Sequence, residues 1–449
     1  MKLDLIRFYK ACNPAKTLIF SKPEDRSYYI DFSSVRGGKI IEAIGRTITR
    51  ISPDDPTSQM FTGHIGCGKS TELFRLKADL EAQKFHVVYF ESGQELDMAD
   101  VDISDILLAI ARQVSESLEE IQIRLKPSYF ANLFTEIKDI LQTPIDVSAE
   151  AELSIGIGRI TAKTKDSPKL RDQLRQYLEP RTEGFLKAIN EELLKRANEE
   201  LKRRGKKGLV VIIDNLDRLD NTRPLAGSQK LLPEYLFIDR GGQLRRLNCH
   251  VVYTIPLALI FSNDYETLKN RLGGGVAPKV LPMVPVRNRD GSDCEPGMTL
   301  LRKMVMARAF PEVAPEQHHL LITEIFDSPE TLARLCRVSG GHVRNLLGLL
   351  YSCLQQEDPP FSRSCLENVI KEYRDDLVLA IDEEEWDLLF QVVQLQTLKG
   401  EKEYQSLLRS MFVFEYRDEQ GRWFGLNPAL TETPKFMSFA AMNELQFQK

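Results

Sequence analysis

At 449 residues the chain is long enough for two or three domains with a sizeable buried interior. Hydrophobic residues make up 42% and charged residues 28%, which excludes a chain disordered throughout. A formal net charge of −5 argues against a strongly basic nucleic-acid binder and leaves room only for a local basic face.

The N-terminus, "MKLDLIRFYKACNPAK", lacks the apolar core and small-residue cleavage site of a signal peptide. No later stretch approaches the roughly 18 apolar residues that span a bilayer, so the expectation is a cytoplasmic protein with no membrane contact. Residues 1–60 read as an approach segment, in which Ile40, Ile41, Ile44 and Ile48 share a helical face after the Arg36-Gly37-Gly38 turn. Seven scattered cysteines without a C-x-x-C spacing fit neither a disulfide framework nor a zinc site, so buried thiols are expected. Cys67 is the expected exception, because its place in a phosphate loop would leave it open to modification.

In "FTGHIGCGKSTEL", Gly63, Gly66, Gly68, Lys69 and Ser70 satisfy G-x-x-x-x-G-K-[ST]. Glycines let backbone N–H groups turn toward phosphates, Lys69 reaches the β and γ oxygens, and the Ser70 hydroxyl joins a Mg²⁺ shell. Cys67 and Thr71 belong to the same loop-to-helix turn. Phe61 and Thr62 close a strand before the loop, while Leu73, Leu76 and Leu80 share a helical face after it. The expected cofactors are therefore ATP and Mg²⁺.

"HVVYF", His86 to Phe90, reads as a second strand. An interval of more than a hundred residues follows, too long for a simple crossover, so about 101–205 is expected to be an insertion. Within it "DISDILLAIARQV" is a helix, "PIDVSAEAELSIGIGRITAK" alternates enough for strands or a hairpin, and Phe185, Ile189, Leu193, Ala197 and Leu201 stripe a long helix. The basic run Lys202, Arg203, Arg204, Lys206 and Lys207 either touches nucleic acid or is a solvated helix end. Next, "LVVII" reads as a strand buried on both faces and ends in Asp214, placed to hold magnesium through water.

The strand Cys249 to Tyr253 ends in Thr254, and a Pro- and Gly-rich stretch then closes an α/β core over 61–298. Helices over 299–375 include "VSGGHVRNLLGLL", with Val343, Leu346, Leu347 and Leu350 on one face and Arg344 off it. Over 376–449, two helices and the hairpin "FVFEYRDEQGRWFGLNP" form a winged-helix-like domain. Its acids, Glu383, Glu384, Glu385 and Asp387 among them, outnumber its bases, which favours a protein partner over DNA.

Taken together, "GHIGCGKST", "VVIIDNLDRL" and "SGGHVRNLL" resemble the bacterial AAA+ and STAND group of P-loop ATPases, in its initiator-like clade. The resemblance implies a parallel-sheet α/β core, a helical lid and a winged helix. It also implies roles: the Arg36 turn over adenine, Thr254 as first sensor, Arg344 as second sensor, and an arginine supplied in trans from Arg240, Arg245 or Arg246. In that group a glutamate follows the strand-end aspartate, but here Asn215 stands in its place. Asn cannot accept a proton from water, so hydrolysis is expected to be slow, with Asp217 as the water-orienting base or else paired with a surface cation. What the resemblance implies is a nucleotide-controlled switch, homo-oligomeric, in defence or signalling; the alternative is a DNA-associated ATPase such as an initiator-like loader or transposition regulator.

Overall fold

The computed structural model describes residues 3–447 apart from 126–128, 131, 134–135, 138–152, 166, 221–229 and 401. The chain divides into two compact units. One holds Met1–Ile40, Gly63–Arg75 and Val280–Lys449; the other holds Ile41–Thr62 and Leu76–Lys279.

The second unit is built on a parallel sheet. The strands of that sheet are β1 (Ser58–Gly63), β2 (His86–Glu91), β3 (Leu209–Asp214), β4 (His250–Thr254) and β5 (Lys279–Leu281), in the order β2-β3-β4-β1-β5, with Gly63, Val280 and Leu281 counted in the first unit. Five consecutive apolar residues, Leu209 to Ile213, have no solvent exposure, because β3 is flanked on both edges and covered on both faces. Each such side chain contributes about 1.5–3 kcal/mol of burial. The pairings of β2 with β3, β3 with β4 and β4 with β1 are all parallel, with Glu91 opposite Asp214 and Phe61 opposite Thr254. Asp214 and Thr254 therefore finish at the C-terminal edge of the sheet, where β1 also ends.

Among its described residues the insertion consists of helices joined by turns and coil, with no strand. Thr182–Ala188, a π-helical turn Ile189–Leu194 and Lys195–Arg203 run on as one rod with Phe185, Ile189, Leu193, Ala197 and Leu201 fully buried. A strict spacing of four drifts around an α-helix of 3.6 residues per turn, and the wider π turn brings the stripe back to one face. The expected strands or hairpin over 144–163 are corrected in part: Leu153–Lys165 is a helix. Its buried positions, Ser154, Ile157, Ile160 and Thr164, follow helical spacing, while Ile155, which created the apparent alternation, is exposed. The rest of that expectation, 144–152, lies outside the described residues.

The first unit has a helical core. Glu295–Ala309, Pro329–Val338, Val343–Gln356 and Arg363–Leu379 pack through Leu301, Val305, Leu335, Leu346, Leu350 and Leu366. The N-terminal helix Leu5–Cys12 inserts Phe8 and Cys12 into the same core. Beyond it, Asp382 and Glu385 form a capping box that starts Glu383–Leu395. Lys402–Arg409 and the antiparallel pair β6 (Val413–Asp418) and β7 (Gly421–Leu426) complete a winged-helix-like domain. Among the described residues no helix is long and apolar enough to cross a membrane.

Candidate functional site

The phosphate loop is shaped by a local lysine and by donors that come from far along the chain. Lys69 Nζ donates to the carbonyls of Gly63 and His64, both at 2.8 Å. His342 Nε2 donates to Ile65 O at 2.7 Å, the Arg344 backbone N–H to Gly66 O at 3.2 Å, and Arg36 Nη2 to Cys67 O at 2.9 Å. Five successive carbonyls are thus taken up, that of His64 also by the Cys67 N–H at 3.2 Å, and the loop's other N–H groups are left to gather as an anion-binding nest. Positive φ at Gly63, Gly66 and Gly68 permits that course. At Gly66 a Cβ would lie 2.7 Å from His342 Nε2 and 2.9 Å from Arg344 Cβ, so only glycine admits the approach. The residues present therefore suit a polyphosphate.

His342 does two things at once. Its Nδ1 accepts the Asn345 N–H at 3.1 Å, capping the helix Val343–Gln356, while its other nitrogen clamps Ile65. The preceding Gly341 has φ 73° and would set a Cβ 1.6 Å from the Val284 carbonyl. On the loop itself, His64 is 2% exposed and its Nε2 accepts the backbone N–H of Glu415, on β6, at 3.0 Å. Phe414 stands edge-on to His64 and stacked on His342, at 5.8 and 5.9 Å between centroids. Burial pushes His64 down to about 3 and His342 to about 4, and the neighbouring imidazole and Lys69 add to the effect on His64. Both rings are neutral at physiological pH. The Glu415 carboxyl, 2% exposed, is pushed up to about 7 by burial, although Arg422 lies 2.8 Å away.

Cys67 departs from expectation: it is fully buried. Its thiol turns beneath the loop toward the Leu281 carbonyl, 3.7 Å off, so the loop presents backbone rather than sulfur to solvent. Ser70 and Thr71 remain partly exposed. Beside them a cavity of about 40 Å³ is lined by Tyr29, Phe32, Arg36, Thr71, Glu72 and Val343 among others. Glu72 accepts from Tyr29 Oη and Arg75 Nε, each at 3.1 Å. The expected adenine contact at Arg36 thus faces a pocket well below the several hundred Å³ of a ligand site, and a base would enter only as side chains move apart.

The acidic end of β3 is organised locally. Asp214 is 1% exposed; its Oδ2 accepts from Tyr89 Oη at 2.8 Å and its Oδ1 from the Asn215 N–H at 2.7 Å. Asn215 has φ 66°, a left-handed conformation that Asn tolerates better than Glu. It opens the short 3₁₀ turn Leu216–Arg218, in which Asp217 is 6% exposed. Thr254 is fully buried: its hydroxyl accepts the Leu216 N–H at 3.0 Å and donates to Ile213 O at 3.3 Å. It braces the turn, and contact with an attacking water would require it to change partner. Arg344 is half-buried at the start of its helix.

Of the arginines considered for action in trans, Arg240 pairs with Glu179 at 3.0 Å and Arg246 with Glu183 at 2.8 Å. Arg245 is exposed and has no carboxylate partner among the described residues. The basic run is largely answered within the chain, Lys202 by Asp54 and both Arg203 and Arg204 by Glu200.

Sequence reasoning missed His64, His342 and Phe414. A histidine in a variable position of the phosphate motif carries no signal there, and histidine lies outside the Ser, Thr, Asp and Asn set by which a helix N-cap is read from sequence.

Loop and sheet define a P-loop NTPase domain. Residues 38–225 match the model of the KAP family P-loop domain. No curated protein matches the chain. Among solved structures, the chain is similar to the Aeropyrum pernix ORC2 protein in ADPNP–ADP complexes, at 12% identity over 91% of this chain and 94% of that one, with a TM-score of 0.39. Drosophila ORC bound to DNA gives 11%, 98%, 92% and 0.39, and Cdc6p from Pyrobaculum aerophilum 12%, 93%, 98% and 0.37.

Proposed function

We propose that the protein is a Mg²⁺-dependent ATPase of AAA+ or STAND type in which ATP controls conformation or assembly, in a defence or signalling setting. The observation that carries this reading is that the phosphate loop packs in one compact unit with the helical core and the C-terminal hairpin, so that what a phosphate does to the loop reaches both. In this reading Lys69 holds the phosphates with the loop from Gly63 to Thr71, and Ser70 and Asp214 hold Mg²⁺. Asp217 orients water, Thr254 braces its turn, and Arg344 answers the γ-phosphate. Magnesium would supply charge neutralisation at the phosphates. Asn215 in the usual glutamate position supports slow hydrolysis that serves as a reset. Subunits assemble as homo-oligomers, with an arginine acting in trans, and the exposed acids at Asp382, Glu383, Glu384 and Asp387 suit a protein partner.

Molar mass measured with and without MgATP tests switching and assembly together. A mass unaffected by MgATP, with turnover of tens per second by the isolated protein, would sink the switch.

The second reading is a DNA-associated ATPase, an initiator-like loader or transposition regulator. The winged-helix-like form of the C-terminal domain supports it, since such domains commonly read DNA. It predicts salt-sensitive DNA binding that depends on ATP, weakened by charge reversal at Lys202, Arg203 and Arg204. A mobility-shift assay at moderate salt separates the two readings.

A further inference from the structure

Asn215 leaves the position after Asp214 without a group that can take a proton from water, but a second carboxylate stands one strand away. β2 and β3 run parallel and in register, from His86 opposite Leu209 to Glu91 opposite Asp214. Residues opposite one another in a parallel pair point to the same side of the sheet, and residues two apart on a strand share that side. Tyr89 and Glu91 of β2 therefore stand on the same face as Ile212 and Asp214 of β3. The bond from Tyr89 Oη to Asp214 Oδ2, at 2.8 Å, bears this out. Glu91 is thus the lateral neighbour of Asp214, one strand spacing of about 4.8 Å away, and both end their strands at the C-terminal edge, where α/β sheets bind ligands.

The other polar groups of this edge are spent on one another. Tyr89 is bonded to Asp214, Asp214 accepts the Asn215 N–H, and Thr254 is bonded to Leu216 and Ile213. Glu91 is half-buried, and among the described residues its carboxylate makes no hydrogen bond and no ion pair. It precedes the helical turn Ser92–Glu95 without capping it. Its charge is nevertheless felt beside Asp214: burial first, then the charges of Asp214 and Glu91, push the Tyr89 hydroxyl up and keep it a donor. A carboxylate partly withdrawn from water and given no partner costs free energy, so its place is not explained by what it does for the fold.

We propose that Glu91, on the strand beside Asp214, is the catalytic base of ATP hydrolysis in place of the glutamate that Asn215 replaces. This rests on the reading that ATP is hydrolysed by this protein, and it adds a proton acceptor to the orienting role which that reading gives to Asp217. The step needs no further reactant. The water oxygen forms a bond to the γ-phosphorus while the bond from that phosphorus to the β–γ bridging oxygen breaks, and the bridging oxygen leaves with the electron pair as part of ADP. The water's proton passes to a Glu91 carboxylate oxygen and from there to the released phosphate or to solvent.

The test uses the full chain, with hydrolysis followed in single turnover, MgATP affinity by calorimetry and stability by thermal unfolding. Glu91→Gln, which keeps the size and removes the charge, should lower the single-turnover rate by about 10² to 10⁴ while affinity and melting temperature stay close to those of the wild type. Glu91→Asp, which keeps a carboxylate one methylene short, should recover part of that loss. A carboxylate that only braces the strand end would not separate rate from affinity and stability in this way. A Glu91→Gln rate close to that of the wild type overturns the proposal and leaves the base to Asp217; a rate loss matched by an equal loss of affinity, with Glu91→Asp no better than Glu91→Gln, overturns it as well. Absence of any MgATP hydrolysis by the wild type overturns instead the reading beneath it.

Discussion

The phosphate loop and the acidic end of β3 solve the same problem, fixing polar groups for an anion and its metal, by opposite routes. At β3 the hydrogen bonds seen among the described residues join the strand end to its own turn and to neighbouring strands, through Tyr89, Asn215, Leu216 and Thr254. At the loop Lys69 and the Cys67 N–H are local partners, while Arg36, His342, Arg344 and Glu415 lie roughly thirty to three hundred and fifty residues away along the chain. A site held by its own sheet is as rigid as the sheet. A site held by remote segments is open to control by whatever moves them.

That contrast can be broken or sharpened by mutation, and the largest effect belongs to chemistry. If Asp217 is the base, Asp217→Asn lowers kcat by roughly 10² to 10⁴ with little change in affinity; single-turnover kinetics that match the wild type would remove Asp217 from that role. Lys69→Ala is expected next. It costs one charge-assisted contact, about 1.5–3 kcal/mol, or roughly tenfold to a hundredfold in MgATP affinity, read by calorimetry.

On the remote side, acidification should loosen the clamp. An unfolded histidine takes a proton near 6.5, whereas His342 resists until about 4 and His64 until about 3 because both are buried. Their contribution is therefore complete above pH 6.5 and lost as pH falls toward 4, on the order of 3 kcal/mol for His342. Glu415 runs the other way: held up to about 7 by burial, against a usual 4.5, it contributes fully below 4.5 and loses that as pH rises to 7. Thermal unfolding against pH should show His342→Gln flattening the acid limb alone and Glu415→Gln the neutral limb alone. The smallest effect is local. Asn215→Gly keeps the left-handed turn within about 0.5 kcal/mol, whereas Asn215→Leu costs roughly 1–2 kcal/mol; equal melting temperatures for the two would show that the turn carries no strain.

The same division governs what could be read in advance. The fold class, β1 through β4, the helix after the loop and the hairpin were legible because each is written in a short run: five apolar residues before Asp214, a glycine-lysine motif after Thr62, a Gly-containing turn between Val413 and Leu426. Asn215 was legible as a departure from a resembled pattern, but its left-handed backbone gives a second, conformational reason for it. The helix Leu153–Lys165 was misread because two isoleucines two apart mimic a strand when only one of them is buried.

By itself, then, the sequence determined that the chain carries a phosphate-binding P-loop on a parallel α/β core with a helical and winged-helix-like remainder, since each of those signals is local and periodic. Only the tertiary structure decided that Phe8 completes the helical core, that Cys67 is hidden, and that His64 and His342 join the loop to the hairpin and the helix Val343–Gln356. Those facts depend on which distant surfaces meet, and no spacing along one strand or helix encodes that.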